Sequence, residues 1–278
     1  MSVRAPSPAP SRKPPSGPSV RLACATLSCD GFEDNDFVDA FRLLPELDYT
    51  HVEFDLWHPG NIVRSKIVEL RTRCAAAGLV PAAVYGNHFG HGDKAELVKD
   101  ITHKLRLIEA ALELGCTRVV ATGTRGRPPG GLEHVIRVLE HVAPEAEAQG
   151  VHICLENHFD NTIETVEDYE TIFDAVASPA VGMCVDTGHF HASGIDLLGI
   201  ADRFDDRINH IHLKDCRGVG SEDFVALGAG EVDNHGFVER AIGRGYRGYL
   251  TIELAARDKT HVVRDLRSAR ETMAVHER

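Results

Sequence analysis

From Val20 onward, short apolar runs alternate with longer amphipathic stretches. The runs at 21–25, 51–55, 79–85, 118–122, 151–155, 181–185, 208–213 and 249–254 are five to seven residues long and rich in apolar or β-branched side chains, which predicts strands. The stretches that follow them predict helices over 35–44, 61–77, 94–114, 132–149, 166–177, 195–204, 236–244 and 260–275. Gly78, Gly115 and Gly150 stand where three of these helices should stop. Regular alternation of this kind means a parallel sheet with crossover helices. Eight strand–helix units predict an α/β chain of one domain, a (β/α)8 TIM barrel spanning 20–278. A doubly wound open sheet is the alternative, and no Gly-x-Gly-x-x-Gly follows the first strand to support it as a dinucleotide fold. Residues 1–19 hold six of the 13 prolines and no apolar core of a signal peptide, so a disordered tail is expected there.

The later strands end in an unusual way. The run 151–155 stops at Glu156, and 181–185 stops at Asp186. The run 208–211 leads into His212, and 249–252 stops at Glu253. A carboxylate at the end of a buried strand is costly unless something pairs with it. In a parallel barrel the C-terminal strand ends form the active-site face, so these four side chains are expected to converge. Three carboxylates and one imidazole suit a divalent cation, with Mn²⁺, Mg²⁺ or Co²⁺ ahead of Zn²⁺. The bland alternative is polar residues meeting solvent at strand ends, which accounts for one such residue more readily than for four in succession.

Other candidates lie near the same face. His189 follows in Asp-Thr-Gly-His and suits a further ligand or a substrate hydrogen-bond donor. Lys214, two residues after His212, shares its face by strand alternation. With Arg217 it can stabilise an enolate oxygen or bind an anionic group. His88 and His91 after the third strand, and Glu53 and Trp57 after the second, are candidate pocket residues, with packing, or support of the pocket residues from behind, as the alternative.

A net charge of −12 argues against a nucleic-acid partner. No apolar run approaches the length of a membrane span. The seven cysteines, none in a Cys-x-x-Cys pair, read as buried free thiols in a reducing cytoplasm. No Gly-rich phosphate loop stands out, which points to an unphosphorylated substrate.

The segments LENH, CVDTGHFH, INHIHLKD, LGAGEVD and GYRGYLTIEL, in that order, resemble the sugar isomerase/epimerase superfamily of xylose isomerase-like TIM barrels. It includes ketose 3-epimerases, hydroxypyruvate isomerase, inosose dehydratase and, more distantly, endonuclease IV. The resemblance covers nearly everything after the tail. It implies metal ligation by Glu156, Asp186, His212 and Glu253, and substrate contacts from His189 and Arg217. It also implies a small keto-sugar or polyol substrate, and catalysis by Glu156 and Glu253 through a metal-bound cis-enediolate. Homodimers or homotetramers are common in the family.

There are departures. Thr162 stands where the epimerases carry a further acidic residue, and HLKDCR is closer to dehydratase members. The alternative is therefore a lyase acting on a keto-cyclitol or keto-sugar, with Lys214 assisting loss of a hydroxyl. Asp233-Asn234-His235 echoes endonuclease IV, but no histidine follows the fourth strand to complete a trinuclear site. A non-catalytic subunit that keeps the barrel would have no need of the full ligand set.

Overall fold

A computed structural model of the protein describes residues 20–31, 36–254 and 260–277. The Pro-rich stretch 1–19 and the expected helix start at Asn35 lie outside the described residues. In chain order, β1 (Arg21–Ala25) leads into a short α1 (Leu27–Asp30) and then α2 (Val38–Glu46). Next come β2 (His51–Asp55) and α3 (Arg64–Ala77), β3 (Val80–Tyr85) and α4 (Lys94–Leu114), and β4 (Arg118–Thr122) and α5 (Gly131–Gln149). They are followed by β5 (His152–Glu156) and α6 (Val166–Ala175), then β6 (Val181–Asp186) with α7 (Thr187–Ala192) and α8 (Leu197–Arg203). After β7 (Ile208–Leu213) the chain inserts a two-stranded antiparallel ribbon, β8 (Asp215–Cys216) and β9 (Phe224–Val225), before α9 (Asn234–Arg244). The last unit is β10 (Tyr249–Ile252) and α10 (Val262–Met273).

The eight long strands close into a parallel barrel in the order β1-β10-β7-β6-β5-β4-β3-β2. The expected fold is the one observed. Two details differ from the expectation, and each has a local cause. The helix expected over 195–204 is observed as α8, and a short helix that the pattern did not predict, α7, precedes it. Asp186 accepts the His189 N–H at 2.9 Å, which starts α7 immediately after β6. Gly194, at φ +71°, then ends that turn, and Asp196 caps α8 through the Leu198 N–H at 3.0 Å. The ribbon was not foreseen because each of its strands is only two residues long, too short to show a period.

Strand register places the candidate ligands on one face. Glu156 pairs across to Cys184, two residues before Asp186. Asp186 is level with His212, and His212 is level with Thr251, two residues before Glu253. The offsets are zero or two, so all four side chains keep the inward orientation. Among the described residues no helix is long and apolar enough to cross a membrane.

A buried polar cluster fixes the loop that follows β3. Lys104 on α4 is 2% exposed, donates to the Asn87 carbonyl at 2.5 Å and lies 4.7 Å from the Phe89 ring centre. Asp100 accepts the Gly90 N–H at 2.7 Å and meets His134 Nε2 at 2.9 Å. Burial holds the Lys104 pKa down at about 8, below its ordinary value near 10.4. Between those two values the unfolded chain binds more protons than the folded one, so this lysine's contribution to stability rises with pH across that window. Relative to Lys104→Met, the wild type is expected to gain roughly 3 kcal/mol between pH ~8 and ~10.5. Urea unfolding of both proteins at stepped pH measures the difference, and a flat difference would contradict it.

Candidate active site

At the C-terminal mouth of the barrel, Glu156, Asp186, His212 and Glu253 each offer a ligand atom, and these atoms all lie within 4.8 Å of one another. All four residues are buried. His212 Nδ1 lies 2.6 Å from Glu156 Oε1 and 2.7 Å from Glu253 Oε2. A single ring nitrogen cannot donate well to two carboxylates at once. Glu253 Oε2 and Asp186 Oδ2 have no hydrogen bond of good geometry. Four carboxylates are buried here (Glu53, Glu156, Asp186 and Glu253), against the one buried ammonium of Lys214. That excess of negative charge and the hard oxygen donors fit a divalent cation held by the four-residue cluster.

The electrostatics of the cluster follow from burial set against charged neighbours. Burial pushes the Glu156 carboxyl up, but His158 and His212 outweigh it and hold Glu156 well below the usual carboxylate range. Burial also raises Asp186, where Lys214 opposes the shift and the neighbouring Glu253 and Glu156 reinforce it. Glu253 is lowered because Lys214 and His212 overcome its burial. Lys214 has its Nζ 2.9 Å from Asp186 Oδ2 and 2.5 Å from Glu253 Oε1. Burial favours its neutral form, yet Asp186 and Glu253 keep its affinity for the proton above that of a free lysine.

Local sequence explains how Lys214 reaches this place. The Thr187 hydroxyl accepts the Lys214 N–H at 3.0 Å and donates to Asn234 Oδ1 at 2.7 Å, and Asn234 Nδ2 donates to the Lys214 carbonyl at 3.1 Å. Gly188 leaves room for the lysine stem, because a Cβ there would come within 2.8 Å of Lys214 Cγ. Asn157 ties β5 to β6 by accepting the Asp186 N–H at 2.9 Å and donating to the Asp186 carbonyl at 3.0 Å.

His189 is buried beside the cluster. Its Nδ1 accepts the Phe159 N–H at 3.1 Å, which leaves Nε2 to carry the proton of the neutral ring. Burial, then His158 and Lys214, lower its proton affinity and keep it neutral. Its ring stacks on His158 with centres 3.9 Å apart. His158 was assigned no role from the sequence, yet its Nε2 lies 2.8 Å from Glu156 Oε2. The missed signal was its place two residues beyond Glu156, on the same inward alternation.

The other candidates fall elsewhere. Trp57 is half-buried and packs edge-on against Tyr85, with ring centres 5.5 Å apart. His88 sits exposed on the rim, 6.3 Å from Trp57 between ring centres, and His91 is exposed as well. Arg217 does not join the cluster: its side chain is 60% exposed and lies 3.9 Å from Asp223. Glu53 lies within β2 rather than after it, fully buried inside the barrel, where its Oε2 meets His210 Nε2 at 2.7 Å. Sequence reading also missed His210, which is buried with its Nε2 a further 2.9 Å from the Thr251 hydroxyl.

Comparison with known proteins gives the same architecture. An inosose dehydratase of Lacticaseibacillus casei is 28% identical over 137 residues, covering 44% of this chain and 46% of its own length. The chain thus matches about half the length of that curated relative. The structure of a D-allulose 3-epimerase from Methylomonas sp. in complex with D-allulose superposes with a TM-score of 0.77 at 16% identity, covering 94% of this chain and 98% of that one. The structure of IOLI protein with a bound zinc atom superposes with a TM-score of 0.74 at 20% identity, covering 92% and 97%. At these identities the two structures share the fold. The sequence pattern described as xylose isomerase-like TIM barrel matches residues 41–277, and the chain belongs to that family.

Proposed function

We propose that the protein is a divalent-metal-dependent isomerase or epimerase of a small keto-sugar or related polyol. The observation that carries this reading is the convergence of Glu156, Asp186, His212 and Glu253, with ligand atoms within 4.8 Å of one another. The epimerase neighbour that binds D-allulose and the neighbour that binds zinc support it. Mn²⁺ suits three carboxylates and one imidazole. When bound, such an ion supplies Lewis acidity that polarises a carbonyl and acidifies the adjacent C–H.

The chain's own groups do the rest. One of Glu156 and Glu253 takes the proton from the carbon beside the carbonyl, and the electron pair moves onto oxygen to give an enediolate. The other returns a proton to the opposite face. His189, neutral with its proton on Nε2, donates to a substrate hydroxyl. Arg217 and His88 on the rim contact the far end of the substrate. The seven cysteines, all free and buried, support a reducing cytoplasmic setting.

A second reading, a dehydratase of a keto-cyclitol or keto-sugar, is favoured by one observation. Lys214 is held as an ammonium against Glu253, beside the base, where it can protonate a departing hydroxyl. The named function of the Lacticaseibacillus relative agrees with that chemistry.

Incubation of the Mn²⁺-loaded protein in D₂O with ketohexoses and with a keto-cyclitol separates the two readings. Epimerisation or isomerisation puts deuterium on the carbon beside the carbonyl without loss of water. Dehydration produces an enone absorbing in the near ultraviolet, and Lys214→Ala removes that activity. Neither exchange nor an enone with any substrate of these classes would overturn both readings.

A further inference from the structure

The two nitrogens of His212 are unequally served. Nδ1, on the mouth side, faces two carboxylate oxygens at 2.6 and 2.7 Å. Nε2, on the inner side, has no well-aligned hydrogen bond. The atom facing it is Glu53 Oε1, 2.9 Å away, and that oxygen also lacks a well-aligned partner. Inside the barrel, Nε2 and Glu53 Oε1 therefore face each other in a close contact that is poorly aligned as a hydrogen bond. The other oxygen of Glu53 is engaged by His210 Nε2 at 2.7 Å, which anchors the carboxylate from the side. Glu53, His210 and His212 are all fully buried, so water has no ready access to replace any of these contacts.

We infer that Glu53 is a positioning residue that fixes His212 as a metal ligand from behind. A ring nitrogen that binds a cation must present a lone pair, so the proton of the neutral imidazole has to sit on the other nitrogen. In a dry interior that N–H needs an acceptor. Glu53 Oε1 is that acceptor. With the proton on Nε2, Nδ1 keeps its lone pair for a cation, and the anionic Glu53 Oε1, 2.9 Å from Nε2, is the acceptor that faces that proton. The anionic acceptor also makes the imidazole a stronger donor to the ion. Glu53 therefore acts through His212 and touches no substrate, which separates it from the pocket role its place in the sequence suggested.

The inference rests on the four-residue metal reading, and one experiment distinguishes failure of either. The metal-stripped protein is titrated with Co²⁺, following the visible absorption that reports coordination geometry. Wild type is expected to bind one ion. Glu53→Gln is expected to bind about 10- to 100-fold more weakly and with an altered spectrum, while the metal-free variant unfolds cooperatively. His210→Gln, which removes only the anchor of Glu53, is expected to shift affinity in the same direction by less. Co²⁺ affinity and spectrum unchanged in Glu53→Gln, with wild type binding normally, would overturn the assignment of Glu53. Failure of the wild type itself to bind Co²⁺ would overturn the metal reading and this inference with it.

Discussion

Glu156→Gln and Glu253→Gln are each expected to lower turnover by about 10³- to 10⁴-fold or more, while the barrel remains folded. The size follows from the role. A positioned acid or base contributes about 10²- to 10⁴-fold, and each of these glutamates is also placed to hold the ion. Glutamine keeps the volume of the side chain and one oxygen donor, but it accepts no proton and carries no charge. The loss should appear in kcat more than in KM, because the missing interaction belongs to the proton-transfer step. The fold should survive because the cluster has more buried carboxylates than buried cations, so removing one negative charge reduces repulsion. Circular dichroism and unfolding curves check the second half, and steady-state rates on the substrate found by deuterium exchange check the first. If the two glutamates serve opposite faces of the substrate, each variant should keep residual exchange with one epimer and lose it with the other. Turnover within tenfold of wild type in either variant would remove that residue from the chemistry.

The barrel and its family were legible because their signals are periodic. Eight apolar runs separated by amphipathic stretches admit few architectures, and the ends of β5, β6 and β7 and the residue just after β10 stand out as abrupt changes from apolar to polar. Glu53 was misplaced for a physical reason. It was grouped with Trp57 after the second strand as a candidate pocket residue, yet it belongs to the strand His51-Val52-Glu53-Phe54-Asp55, and in a closed barrel alternate strand positions face an enclosed interior, where Glu53 is buried. His210 was hidden in the same way. His158 was given no role, because it lies beyond the last residue of β5 and the inward alternation had to be carried past the strand end to find it. Lys214 was expected to share the face of His212, but its contacts with Asp186 and Glu253 depend on a clamp from Thr187 and Asn234, which lie 27 and 20 residues away in sequence. Pairings of that range cannot be read from spacing.

Adding Mn²⁺ to the metal-stripped protein is expected to raise its unfolding temperature by roughly 5–10 °C, and chelation to reverse the gain. An ion that binds only the folded chain stabilises it by RT ln(1 + [L]/Kd), about 2.7 kcal/mol at a hundredfold excess over Kd. For a domain of this size each kcal/mol shifts the midpoint by about 2–4 °C. The unfolded chain should not compete, because the four ligands are spread from residue 156 to residue 253 and only the closed barrel gathers them. The gain must therefore depend on the side chains of the cluster. Asp186→Asn keeps the cap on the His189 N–H through its remaining carbonyl oxygen, so α7 should persist while the ligand charge is lost. This variant is expected to unfold near the wild-type metal-free midpoint and to gain less than about a third of the wild-type shift at the same Mn²⁺ concentration. The shift should also shrink as pH falls, because protons compete with the ion for carboxylate and imidazole. A midpoint that ignores Mn²⁺ in the wild type, or moves equally in wild type and Asp186→Asn, would mean that the mouth of the barrel does not hold the ion.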